Sequence, residues 1–122
     1  MKRRVIAIGL LAVFQLYPIG CGLKKNLSAG DIGVIGSKGG VFAAIDRESY
    51  EKFVSAIHVN DQVEQVNFAV HGRVFDLIRG TKVKVLFSYV YSGSTVYKVK
   101  VLDGLHEGSE AFINFDFVDS AS

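Results

Sequence analysis

The chain has 122 residues, 49% of them hydrophobic and 21% charged: enough apolar side chain for one small folded domain and too much for a disordered chain. Its formal charge is +2, but Lys2, Arg3 and Arg4 stand together at the start, and residues 1–20 hold no acid. Beyond residue 20, eleven bases face twelve acids, which argues against nucleic acid as a partner, since such binding draws most of its affinity from a strongly basic surface.

In chain order, the first element is a leader. Three basic residues precede Val5 to Leu16, where Gln15 is the only strongly polar residue, and Tyr17-Pro18-Ile19-Gly20 follows. A basic start, a short apolar run and a small residue before a cut are the marks of an export signal. The run is shorter than the about 20 apolar residues that a membrane span needs. Cys21 is the only cysteine, so it can form no intramolecular disulfide. Pro18-Ile19-Gly20-Cys21 resembles the lipobox of bacterial lipoproteins, with Gly20 as the small residue before the cut and Pro18 where that pattern usually has Leu. The resemblance implies a signal peptide at 1–20, acyl chains on Cys21 and a lipidated tether at 21–30. Two or three acyl chains on one residue anchor a protein stably, whereas one chain is marginal. Gly22 rather than Asp follows the cysteine, which by the same resemblance favours the outer membrane in a Gram-negative host.

The folded part is expected over 31–118. Asp31 to Ile35 and Val41 to Ile45 are short apolar runs around Ser37-Lys38-Gly39-Gly40 and read as a first hairpin. A helical insert is expected over 46–71. Asp46 is placed to cap a helix, with Glu48 in its first turn. Tyr50, Phe53, Val54 and Ile57 make one helical stripe facing the core. A second helix would start at a capping Asn60, carry Val63, Val66 and Val70 at helical spacing, and end at Gly72.

From Arg73 the period changes to two. Val83, Val85, Phe87, Tyr89 and Tyr91 alternate along one strand, and Tyr97, Val99 and Val101 along the next. A three-residue loop, Ser92 to Ser94, would pair Tyr91 with Thr95, Phe87 with Val99 and Val85 with Val101, so that both apolar sets share a face. Asp103-Gly104 and His106 to Ser109 are turns, and Glu110 to Val118 reads as a last strand. The fold class expected is mainly β with a helical insert (α+β): five to six strands that avoid open edges by curling.

Gly80-Thr81-Lys82-Val83-Lys84-Val85-Leu86, then Tyr97-Lys98-Val99-Lys100-Val101-Leu102-Asp103-Gly104, then Gly108 to Ile113, resemble bacterial SH3-like barrels over roughly residues 80–118. Phe112 stands where that family commonly has Trp, and Ala111 where it has Gly. The resemblance implies an SH3-like binding module.

Chemistry-bearing residues are sparse. His58, His71 and His106 include no pair at the four-residue spacing of a zinc helix. Asp103, Glu107 and Glu110 cluster near turns, where capping and solvation account for them, and no Gly-x-Ser-x-Gly elbow is present. The expectation is no enzyme, no catalytic residue, no metal and no cofactor. Lys82, Lys84, Lys98 and Lys100 alternate onto one outer face, which serves either as protection against aggregation or as a contact surface for anionic lipid, envelope polymer or an acidic protein. Tyr89, Tyr91 and Tyr97 are candidate binding anchors near a hairpin tip, or core residues at a barrel end. The functional expectation is a lipid-anchored, non-enzymatic module in the bacterial envelope that binds a protein or cell-wall component. The alternative is an accessory, inhibitory, immunity or phage-exclusion lipoprotein acting on a membrane protein.

Overall fold

The computed structural model describes residues 26–36 and 41–121. The leader, Cys21 and the expected turn at 37–40 lie outside these residues. Seven strands and two helices follow in the order β1 (Ile32–Ile35), β2 (Val41–Ala44), α1 (Arg47–His58), α2 (Gln62–Val70), β3 (Val74–Leu77), β4 (Lys82–Tyr91), β5 (Ser94–Val101), β6 (Glu110–Asn114) and β7 (Val118–Ser120). A 3₁₀ turn, Phe115–Phe117, joins the last two strands.

The helices are bounded by side chains placed to satisfy their ends. Asp46 has extended backbone and its carboxylate accepts the Ser49 N–H at 2.7 Å. That bond holds the Asp46 carboxyl below its ordinary value, with a smaller contribution from Arg73. Asp61, not Asn60, caps α2 by accepting the Glu64 N–H at 3.1 Å. Asn60 is instead the left-handed residue, at φ 58°, that ends α1, a conformation asparagine tolerates better than most side chains. Gly72, at φ 71°, plays the same part after α2. In both cases the next residue closes the motif, Asp61 N–H on Ala56 O and Arg73 N–H on Phe68 O.

The strands form one antiparallel sheet in the order β3-β2-β6-β5-β4-β1-β7. The expected hairpin between the first two apolar runs does not form. β1 pairs with β4 and β7, and β2 with β3 and β6. The composition of β2 explains its place: Val41 and Ala43 bury on one face and Ala44 on the other, so it needs cover on both sides. The sheet curls into a half-barrel, because Leu77 at one end and Val118 at the other join a single buried cluster with Val83, Val85, Tyr97, Val99, Val101 and Ile113. Gly33 lies where β7 crosses closest, and a Cβ there would collide with Val118 and the Asp119 carbonyl. The helices cover part of the outer face, over β2, β3 and β6, burying Tyr50, Phe53 and Phe68 with Ala44, Val74, Val96 and Phe112.

The β4–β5 register differs from the expected one. A two-residue turn, Ser92-Gly93, pairs Tyr91 with Ser94, Tyr89 with Val96 and Phe87 with Lys98. Beyond a bulge at Leu86, Val85 pairs with Val99 and Val83 with Val101. The bulge inserts one residue and so exchanges the faces of β4 along its length. Val83 and Val85 point into the barrel, while Phe87, expected in the core, turns outward and is 45% exposed.

Candidate functional site: an aromatic cleft

A ligand-sized recess forms where three separate elements meet outside the barrel. α1 supplies Tyr50, Val54, Ile57 and His58, the β4–β5 tip supplies Tyr91 and Ser92, and the chain around the 3₁₀ turn supplies Asn114, Asp116 and Phe117. Phe42 of β2 lies between them, stacked on Tyr50 at 5.8 Å between ring centres and 6.5 Å from Phe117. The cleft encloses about 330 Å³, at the lower end of the range for small-ligand sites.

Each wall is fixed by local chemistry. Asn114 accepts the Asp116 N–H at 2.8 Å, which starts the 3₁₀ turn and ends β6. Tyr91 meets Tyr50 edge-on at 6.4 Å, and its hydroxyl reaches the Glu51 carbonyl at 3.4 Å and Ser55 Oγ at 3.3 Å. Burial pushes the Tyr50 phenol above its ordinary pKa; a hydrogen bond with Asn114 opposes this, and nearby Tyr91 and Asp116 add to it. Among the described residues no Lys or Arg lines the cleft, and its polar character there comes from one carboxylate, one imidazole, an amide and hydroxyls.

The three tyrosines singled out from sequence go to three different places. Tyr91 lines the cleft. Tyr89 is covered by the Arg47 guanidinium, 4.0 Å from its ring centre; its hydroxyl is buried with no hydrogen-bond partner among the described residues, and burial pushes its pKa up to about 12. Tyr97 is fully buried in the inner core, where its hydroxyl accepts the Leu27 N–H at 2.8 Å, so it offers no binding surface. The lysines share the outer face, with Lys84 opposite Lys100 in register and Lys82 two residues away. Lys98 is engaged by Glu110 at 3.1 Å and lies 5.7 Å from the Phe87 ring centre. The two groups are not brought together in one site.

Asp103 accepts the Lys82 N–H at 3.0 Å, and Glu110 holds Lys98, which gives two of the three clustered acids structural partners. His58 ends α1, and His71 follows α2, with Nδ1 2.8 Å from the Asn67 carbonyl. Among the described residues, no three His, Cys, Asp or Glu side chains group as metal ligands would, and no helix is long and apolar enough to cross a membrane. Phe42, Asn114, Asp116 and Phe117 were not foreseen as site residues. The one signal for them is the run Asn114-Phe115-Asp116-Phe117, where acid and amide interrupt a strand pattern beside two rings.

Comparison with protein-family models, with curated proteins and with solved structures finds no match. The cleft must therefore be judged on its own chemistry. Ring faces, an amide, hydroxyls and one carboxylate converge there, a surface suited to holding a ligand by contact and a few hydrogen bonds.

Proposed function

We propose that the chain is a bacterial envelope lipoprotein, exported on residues 1–20, anchored through acyl chains on Cys21, and carrying a non-enzymatic SH3-like module that binds a protein or cell-wall component. The observation that carries the binding role is the cleft of Phe42, Tyr50, Tyr91 and Phe117 with Asp116 at its edge. The SH3-like reading is supported by the order of elements: the antiparallel run β4-β5-β6, a 3₁₀ turn, and a last strand that returns to pair with β1. The helical insert stands between β1 and β4 and contributes a wall of the cleft.

The test is retention of detergent-solubilised protein on purified cell wall and, separately, capture of protein from solubilised membranes. Tyr91→Ala and Asp116→Lys should each weaken binding of the true ligand by tenfold or more, the order of a modest hot spot. Binding that survives both substitutions places the ligand elsewhere. A second reading, an accessory or inhibitory subunit, is favoured by one observation. Val63, Val66 and Val70 are well exposed along the outer side of α2, with Val63 and Val70 each 74% exposed, and Val59, which ends α1, is exposed beside them in sequence. A stoichiometric partner lost on Val66→Asp but kept on Tyr91→Ala would decide for that reading.

A further inference from the structure

We infer that the bare outer face of β4 and β5, at the end away from the helices, rests on anionic lipid headgroups, so that the domain lies against the membrane in a fixed orientation. The inference rests on the lipid-anchor reading and adds to it a second, electrostatic contact.

Three observations converge on this face. Lys84 and Lys100 are directly opposed in register, Lys82 follows on the same side of β4, and all three are exposed. Among the described residues no carboxylate pairs with them, whereas Lys98, further along, is held by Glu110. The helices lie over β2, β3 and β6 and leave this part of the sheet uncovered. Acids are present but turned to other work: Glu110 faces Lys100 in register and reaches Lys98, Asp103 takes the Lys82 N–H, and Asp119, opposite Val34, lies against Gly36.

The second observation is where the chain enters. Residues 27–30, expected to hang as part of the tether, are fastened to the barrel: Leu27 packs on the inner core with its N–H on Tyr97, and Gly30 N–H donates to the Val85 carbonyl at 2.7 Å. Val85 is the neighbour of Lys84, and Ile32, half-exposed, sits opposite Lys84 on the same face. The third is length. Cys21 stands six residues before Leu27, a link of at most about 22 Å when fully extended, and it contains Lys24 and Lys25. An anchor on so short a link holds this end of the barrel near the headgroups, where each lysine adds roughly fivefold in residence on an anionic surface and three add about a hundredfold. Acyl chains supply the attachment and the lysines supply the orientation.

Amine-acylation footprinting by mass spectrometry tests this on the full chain purified from membranes and reconstituted into vesicles, one set of phosphatidylcholine alone and one containing phosphatidylglycerol. Lys82, Lys84 and Lys100 should react at least about tenfold more slowly on the phosphatidylglycerol vesicles, with the protection lost at 1 M salt, where the screening length is about 3 Å. Lys52 on α1 should react equally in both. Equal reactivity of Lys84 and Lys100 on the two vesicle types overturns the inference. So does protection in native membranes that is absent from the pure lipid vesicles, which would assign the face to an acidic protein. The same spectra report the mass on Cys21: protection with an unmodified cysteine fails the anchor alone, and acylation without protection fails the docking face alone.

Discussion

The two faces of the curled sheet are packed by different kinds of side chain. The inner face is filled by Val41, Ala43, Val83, Val85, Val99, Val101, Ala111, Ile113 and Val118 with one ring, Tyr97, fully enclosed. The outer face is filled by Tyr50, Phe53, Phe68 and Phe112, with Phe42, Tyr89 and Tyr91 packed alongside. The concave side of a tight curl has little room per residue, and branched side chains fill it. The gap between a sheet and crossing helices is wider and takes rings. Apart from Tyr97, the inner core has rings only at its margins, where Phe75, Phe115 and Phe117 are partly buried against it. The outer one ends at the edge of α1, where Phe42 and Tyr91 remain in reach of solvent above the buried Tyr50 and form the cleft. The cleft opens where the aromatic layer runs out of cover.

The largest effect that probes this contrast is expected at Phe53. Phe53→Ala should cost roughly 3–5 kcal/mol in denaturant unfolding, the range for a buried ring, while Lys52→Ala on the solvent side should stay within about 0.5 kcal/mol. Equal losses at the two positions would mean that α1 does not pack as described. In the inner core, Tyr97→Phe keeps the ring but leaves the Leu27 N–H without its acceptor. A loss of about 1–3 kcal/mol is expected, with faster amide exchange at Leu27 and unchanged exchange in α1. Exchange rising equally in both would erase the distinction between the two cores.

The smallest effect concerns Tyr89, which belongs to the outer layer and shows that it is less fully satisfied. Its folded pKa, about 12, lies above the ordinary value of 10.0, so the folded state favours the neutral phenol. The stability this gives is fully present below pH 10 and falls as pH rises toward 12. Tyr89→Phe removes a buried hydroxyl that has no partner among the described residues and should be neutral or slightly stabilising, and it should flatten the fall above pH 10. A loss above about 1 kcal/mol would show that the hydroxyl is satisfied after all.

The inner core is legible in the sequence because it follows strict alternation, and Val83, Val85, Val99 and Val101 are all buried. The bulge at Leu86 was not legible, because the odd positions of β4 remain apolar straight through it. Val83 and Val85 go inside and Phe87, Tyr89 and Tyr91 outside, yet the sequence reads as one stripe. On α1, Tyr50 and Phe53 are buried as the helical stripe predicts, but Ile57 is exposed, and small Ser49 and Ala56 are buried instead. Ser49 is buried at no loss because its Oγ accepts from Arg73 Nε at 2.7 Å. On α2 the periodic valines face outward and Phe68 alone is buried, so helical spacing marked a face without saying which way it turned. The cleft draws on four separated segments, and no local pattern joins them.

The most direct test of the account is the N-terminus of the protein recovered from membranes of cells that produce it. Mass spectrometry should find a chain cut before Cys21 and carrying acyl chains on that residue, and Cys21→Ser should abolish both the cut and the added mass. A chain that begins at Met1, or one that begins at an unmodified Cys21, would contradict the account.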